Sequence, residues 1–174
     1  HLDLGRRFGD NKEFGIRFNG SLDGGSTPVD TQDSKFRNAA LNLDYRGDRV
    51  RVSGDFAHQS SSLTAPSSTL TINGVRGVLA SLTKVPDAPD NDIAFSPSWA
   101  EGSHEVTLGM LQGEVDILEN VTAYAAIGKQ RYEGASTDDD LLLLDSAGSV
   151  GIRPSRFRDS VDVLSLQGGV RATF

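Results

Sequence analysis

The chain has 174 residues with 24 acidic and 17 basic side chains, a formal net charge of −7 that argues against a basic nucleic-acid-binding face. It has no cysteine, which excludes a disulfide scaffold and a thiolate metal site and suits an exported protein. No run approaches the roughly 18 consecutive apolar residues of a spanning helix, although alternating transmembrane strands escape that test. The chain opens at His1 with no initiator Met and no signal peptide, so a processed or truncated N-terminus is expected.

In chain order the dominant pattern has period two, the signature of half-buried strands. The run Leu2 to Phe8 alternates with Arg6 among its apolar positions, and a short turn follows at Asp10 to Lys12. From Glu13 to Asp23, Phe14, Ile16, Phe18 and Leu22 oppose Glu13, Arg17, Asn19, Ser21 and Asp23. A polar connection, Gly25 to Ser34, leads to Arg37–Arg46, where Ala39, Leu41, Leu43 and Tyr45 oppose Asn38, Asn42, Asp44 and Arg46. After the tight Gly47-Asp48 turn, Val50, Val52 and Phe56 oppose Arg49, Arg51, Ser53 and Asp55.

A long connection is expected over about Ser60 to Ser103. Within it, Ile72 to Leu82 reads as a short helix or hairpin, and Pro86, Pro89 and Pro97 argue against regular structure beyond it. From Glu105 to Ile117, Leu111, Val115 and Ile117 oppose Gln112, Glu114 and Asp116, but Val106, Leu108 and Met110 have the other parity. Either a bulge or an apolar contact on the inner face accounts for that switch. A turn at Leu118 to Asn120 precedes a strand from Val121 to Tyr132. There Val121, Ala123, Ala125, Ile127 and Lys129 oppose Tyr124 and Tyr132. A third polar connection is expected from Gly134 to Ser160, with Leu141 to Leu144 extending a strand into it. In Leu164–Phe174, the apolar positions oppose Ser165, Gln167 and Arg171.

Seven strands with turns that alternate short and long predict an antiparallel up-and-down meander. One end carries tight turns and the other large loops. An outer-membrane barrel is laid out this way, with short periplasmic turns and long extracellular loops. A loop of about forty residues is foreign to a compact soluble domain. A soluble β-sandwich that binds carbohydrate or mediates adhesion shares the alternation and remains an alternative, as does a passive porin-like channel.

Chemistry-bearing patterns are sparse. His1, His58 and His104 are scattered, without metal-ligand spacing. Asp138 to Asp140 and the set Asp87, Asp90 and Asp92 lack EF-hand spacing and read as solvated loop charge. No G-x-S-x-G, G-x-G-x-x-G or P-loop occurs, and no enzyme activity is expected. Trp99 and Tyr132 stand near the loop end, as members of an interfacial aromatic belt or of a ligand vestibule, the belt being preferred for Tyr132. Arg76, Lys84 and Arg131 are the cationic candidates there, against a plain surface role.

The segments LDLGRRFGDNKEFGIRFNG (2–20), NAALNLDYRGDRVRVSGD (38–55), TLGMLQGEVDILENVTAYAAIG (107–128) and SVDVLSLQGGVRATF (160–174) resemble, in order and spacing, barrel hairpins of TonB-dependent siderophore receptors. The resemblance covers the whole chain and is weakest in the long loops. It implies that residues 1–174 are about seven early strands of a plugged, 22-stranded transmembrane barrel. Phe174 then falls on an internal strand. It implies an outer-membrane location in a Gram-negative bacterium and a ferric siderophore as transported ligand, with no cofactor. The implied partners are the TonB complex, through a plug outside this sequence, and outer-membrane lipid and lipopolysaccharide. On this reading Arg17, Asn19, Asp44, Arg51, Asp55, Glu114 and Arg171 face the lumen and its plug.

Overall fold

The computed structural model describes residues 1–66, 70–71, 90–144 and 149–173. Its strands are β1 (Leu2–Phe8), β2 (Phe14–Ser26), β3 (Asp33–Arg46), β4 (Val50–Thr64), β5 (Leu70–Thr71), β6 (Glu101–Leu118), β7 (Val121–Leu143) and β8 (Val150–Ala172). The seven long ones form one antiparallel sheet in the order β1-β2-β3-β4-β6-β7-β8. The two-residue β5 is an eighth strand that the alternation does not signal. It runs parallel to β7, pairing Leu70 with Leu141 and Thr71 with Leu142.

The expected turns are tight. In the first, Gly9 adopts φ 96° and Lys12 φ 57°, and the Lys12 amide donates to the Gly9 carbonyl at 3.1 Å. A left-handed residue at Gly9 costs nothing because glycine has no Cβ. The Gly47 amide donates to Val50 at 2.8 Å, and only Glu119 and Asn120 lie between β6 and β7.

At the other end the strands run further than their alternation does. The β2–β3 connection is residues 27–32, and the large loop is bounded by Thr64 and Glu101, which pair. The expected loop from Gly134 to Ser160 is instead mostly hairpin. β7 and β8 pair without interruption from Val121 opposite Ala172 to Leu143 opposite Val150. The polar residues there do not prevent pairing: Asp140 on β7 holds Arg153 on β8 at 2.6 Å. Leu141 and Leu143, 1% and 3% exposed, anchor the tip, as the strand-extension reading requires. The Ile72 to Leu82 segment lies outside the described residues.

The parity switch on β6 also resolves. Register holds unbroken from Gly102 to Asp116, and the single shift falls between Asp116 and Leu118, beside the turn. Val106, Leu108 and Met110 therefore share the face of Glu114, without a bulge. Met110 stands opposite Asp55, and Val106 opposite Tyr132.

The sheet is a single layer with two unlike faces. Rows of paired residues such as Leu4, Phe18, Leu41 and Phe56, or Ile16, Leu43, Gly54, Leu111, Ile127 and Leu166, build one apolar face. Among the described residues nothing covers it: Phe14, Phe18, Leu43, Phe56, Leu111 and Leu166 are all exposed. A sandwich would place a second sheet there. Each such side chain loses roughly 1.5–3 kcal/mol of burial when left in water, so the face calls for an apolar environment.

Lysine introduced at Phe18 or Leu43 is expected to cost roughly 2–4 kcal/mol of outer-membrane insertion in the full-length protein, if these positions lie near the midplane. Lysine at Asn19 or Asn42 should cost clearly less. A folding titration into bilayers reads the difference, and equal costs at the two sets would refute the face assignment.

Candidate functional site: the ionic face and its loop end

The opposite face gathers the charge. Arg17, Asn42 and Asp55 form one row across β2, β3 and β4, with Met110 next on β6. Asn19, Asp44, Arg51, Glu114 and Arg171 fall on the same face through the same register. The alternation thus brings all seven proposed face residues together.

Toward the tight-turn end these charges are compensated across strands. Arg7 on β1 reaches over β2 to Asp44 on β3, donating from Nη1 at 3.1 Å and Nη2 at 2.8 Å. The residue passed over is Gly15, where an added Cβ would collide with both partners. Glycine is required there because two long side chains cross at the backbone. Arg7 also donates to the carbonyls of Lys12 and Glu13, which ties the ion pair to the first turn. Arg46 completes the group at 3.2 Å from Asp44.

Arg51 on β4 is the second centre. Its Nη1 and Nη2 donate to Asp116 at 2.8 and 2.7 Å, and its Nε to Glu114 at 3.1 Å. Thr122 donates to Asp116 at 2.6 Å. Arg171 on β8 crosses β7 to pair with Glu114, and its guanidinium lies 5.3 Å from the Tyr124 ring centroid. Bidentate, charge-assisted bonds of this kind fix geometry as well as sign. Further along, Arg17 grips Asp3 at 2.6 Å and Asn42 donates to Asp55 at 2.7 Å. Asn19 stands opposite Ala40. Asp3 and Tyr124 were not singled out from the sequence, although strand parity already places both on this side.

Toward the loops, short of the Asp140–Arg153 pair at the tip, the face has a neutral stretch. Val106 and Leu108 on β6 join Tyr132 on β7 and Val161 and Val163 on β8 in adjacent rows. The Tyr132 ring stacks on His104, with centroids 6.3 Å apart. His104 is in turn 2.8 Å from the Ser61 hydroxyl.

The loop-end candidates separate. Tyr132 lies on the ionic side, so it does not join an aromatic belt on the apolar side. Arg131, its neighbour, points the other way and pairs with Glu133 at 2.7 Å. Adjacent strand residues face opposite sides, so these two cannot line one vestibule. Trp99, 61% exposed, borders a hollow of about 340 Å³ with Glu101, Ser103, Ala135, Thr137 and Arg156, on the side of the apolar face. Arg76 and Lys84 lie outside the described residues.

No protein-family model matches the sequence. The chain is 30% identical over 173 residues to the ferrichrome receptor FcuA of Yersinia enterocolitica, covering 99% of this chain and 22% of that protein. The crystal structure of BauA, the ferric preacinetobactin receptor from Acinetobacter baumannii, matches with a TM-score of 0.84 at 28% identity. That match covers 99% of this chain and 25% of BauA. The ferric-catecholate import receptor Fiu of Escherichia coli K12, in its open form, matches with a TM-score of 0.72 at 15% identity and shares the fold. That match covers 99% of this chain and 28% of Fiu. The chain thus spans about a quarter of the length of the proteins it matches, and over 99% of its own length it is similar to a segment of siderophore receptors.

Proposed function

We propose that the full-length protein imports a ferric siderophore across the outer membrane, with energy supplied through TonB. One observation carries this reading: the chain is collinear over 99% of its length with a ferrichrome receptor and a ferric preacinetobactin receptor. This chain supplies a stretch of barrel wall and its loops. No substrate bond is made or broken, and no resident cofactor takes part; the iron chelate is cargo. The apolar face meets outer-membrane lipid and, in the outer leaflet, lipopolysaccharide. The opposite face looks into the lumen, where Arg17, Asn19, Asp44, Arg51, Asp55, Glu114 and Arg171 stand toward the plug. Most of their charge is already neutralised within the wall, so the wall offers the plug an ordered set of hydrogen-bonding edges with little net field. The neutral area around Tyr132 and His104 lies nearer the outside and is the part of this wall suited to the organic portion of a chelate.

A strain lacking the gene should fail to grow under iron limitation on its cognate ferric siderophore, and should recover on complementation. Growth of the complemented strain should vanish when TonB is removed. Uptake that persists without TonB would instead identify a passive channel.

Replacing Arg51 with Met leaves Glu114 with Arg171 and Asp116 with Thr122, but removes three charge-assisted bonds. The full-length barrel should lose roughly 1–3 kcal/mol, read as earlier loss of heat-resistant migration on a gel. An unchanged transition would show that the ionic row contributes nothing to the wall.

A further inference from the structure

Two outer connections are fastened to each other. The short β2–β3 connection, residues 27–32, closes on itself where the Thr27 amide donates to the Gln32 carbonyl at 2.9 Å. The large connection leaves β4 after Thr64 and returns to β6 at Glu101. Gln32, only 7% exposed, reaches from the first to the second. Its Nε2 donates to the Ala65 carbonyl at 2.9 Å, and its Oε1 accepts from the Thr27 hydroxyl at 2.6 Å. The Ala65 amide donates to the Ala100 carbonyl at 2.8 Å, which ties the outgoing foot of the large loop to the returning one. The Asp30 amide donates to the Asp92 carbonyl at 2.7 Å, so the short connection holds both feet.

This junction is strained. Among the described residues, the non-glycine positions with positive φ are Lys12, in the first tight turn, and Thr31 and Ala65, both at the junction, at φ 63° and 45°. The left-handed region presses Cβ against the carbonyl oxygen, and a β-branched residue such as threonine tolerates it least. Thr31 directly precedes Gln32, and Ala65 supplies the carbonyl that Gln32 holds. The strain therefore sits at both ends of one hydrogen bond. Backbone held in this way persists only while its surroundings over-determine it. Opening relieves the two left-handed residues but leaves a buried amide without its partners, and these effects oppose each other. Opposed terms of this kind are what a two-state element needs.

We propose that Gln32 is the catch of a conformational switch. The 27–32 connection and the feet of the large loop, at Ala65 and over residues 90–100, release together and give up the strain at Thr31 and Ala65 as they open. The switch stands at the outer mouth of the barrel, a placement that rests on the function proposed above.

Hydrogen–deuterium exchange of the full-length receptor in detergent, followed by mass spectrometry of peptides over 27–33 and 90–100, reads the opening. Ala65→Gly keeps every hydrogen bond of the junction and accepts left-handed backbone freely. It should hold the switch closed and slow exchange in both segments about fivefold, and Thr31→Gly should do the same. Gln32→Leu keeps the bulk and removes the amide, and should speed exchange in both segments about tenfold. Lys12→Gly relieves the left-handed residue at the opposite end and should leave both segments as in the parent. Faster exchange of 27–33 alone in Gln32→Leu overturns the coupling. Glycine variants that exchange as the parent does overturn the stored strain. Where Gln32→Leu loses the heat-modifiable migration of a folded barrel, the two glycine variants decide alone. Siderophore-dependent growth tests the import reading separately. Coupled exchange in a receptor that supports no such growth defeats that reading and keeps the switch, whereas a transporting receptor with uncoupled loops defeats the switch alone.

Discussion

Everything in this wall depends on pairing without slippage. Side chains on a strand alternate strictly, so one misplaced residue would carry an entire strand's apolar set to the wrong side. The register runs unbroken across six interfaces except for one shift, and that shift sits between Asp116 and Leu118, at a turn. Placed there, the irregularity affects no residue further up β6. The result is a sheet one residue thick whose two faces meet incompatible surroundings. Backbone groups within hydrocarbon have only each other to bond with, so the same pairing that sorts the side chains also makes the span possible.

Where both surroundings impose a demand, the sequence is legible. Between the tight turns and the middle of each strand, one face must be apolar and the other polar. Phe14 to Phe18, Leu41 to Tyr45 and Val50 to Phe56 state this directly. Nearer the loops both faces meet water or other loops, and the alternation fades although the ladder does not. Ser60 to Thr64 and Gly134 to Asp140 therefore read as loop while being strand. Propensity and local polarity carry little information there, because the pairing is set by the hairpin partner. The Leu141 to Leu143 run was readable as an extension because apolar residues had returned. The β5 pairing was not readable, since two residues present no period.

The ionic face misled in a different way. Val106, Leu108 and Met110 look like lipid-facing residues slipped by one, and a bulge would restore them. The continuous register shows instead that the ionic face changes character along its length, from ionic rows near the turns to a neutral patch nearer the loops. Arg131 and Tyr132 carry the same lesson at single-residue scale. Read as a cation and an aromatic near a loop they suggest one site, and the strand sends them to opposite sides of the wall.

The pairing of charge on the ionic face then follows from the spacing of the sheet. A lone arginine withdrawn from water is costly unless a partner is close, and side chains that span a neighbouring strand supply that partner at the spacing the sheet imposes. Gly15 shows how the demand reaches the backbone: Arg7 and Asp44 are two strands apart, and only a residue without a Cβ lets them meet. On the other face the pairs have a shorter reach, Arg131 with Glu133 on its own strand and Lys129 with Asp162 on the next, so the pairs that cross an intervening strand belong to the ionic face.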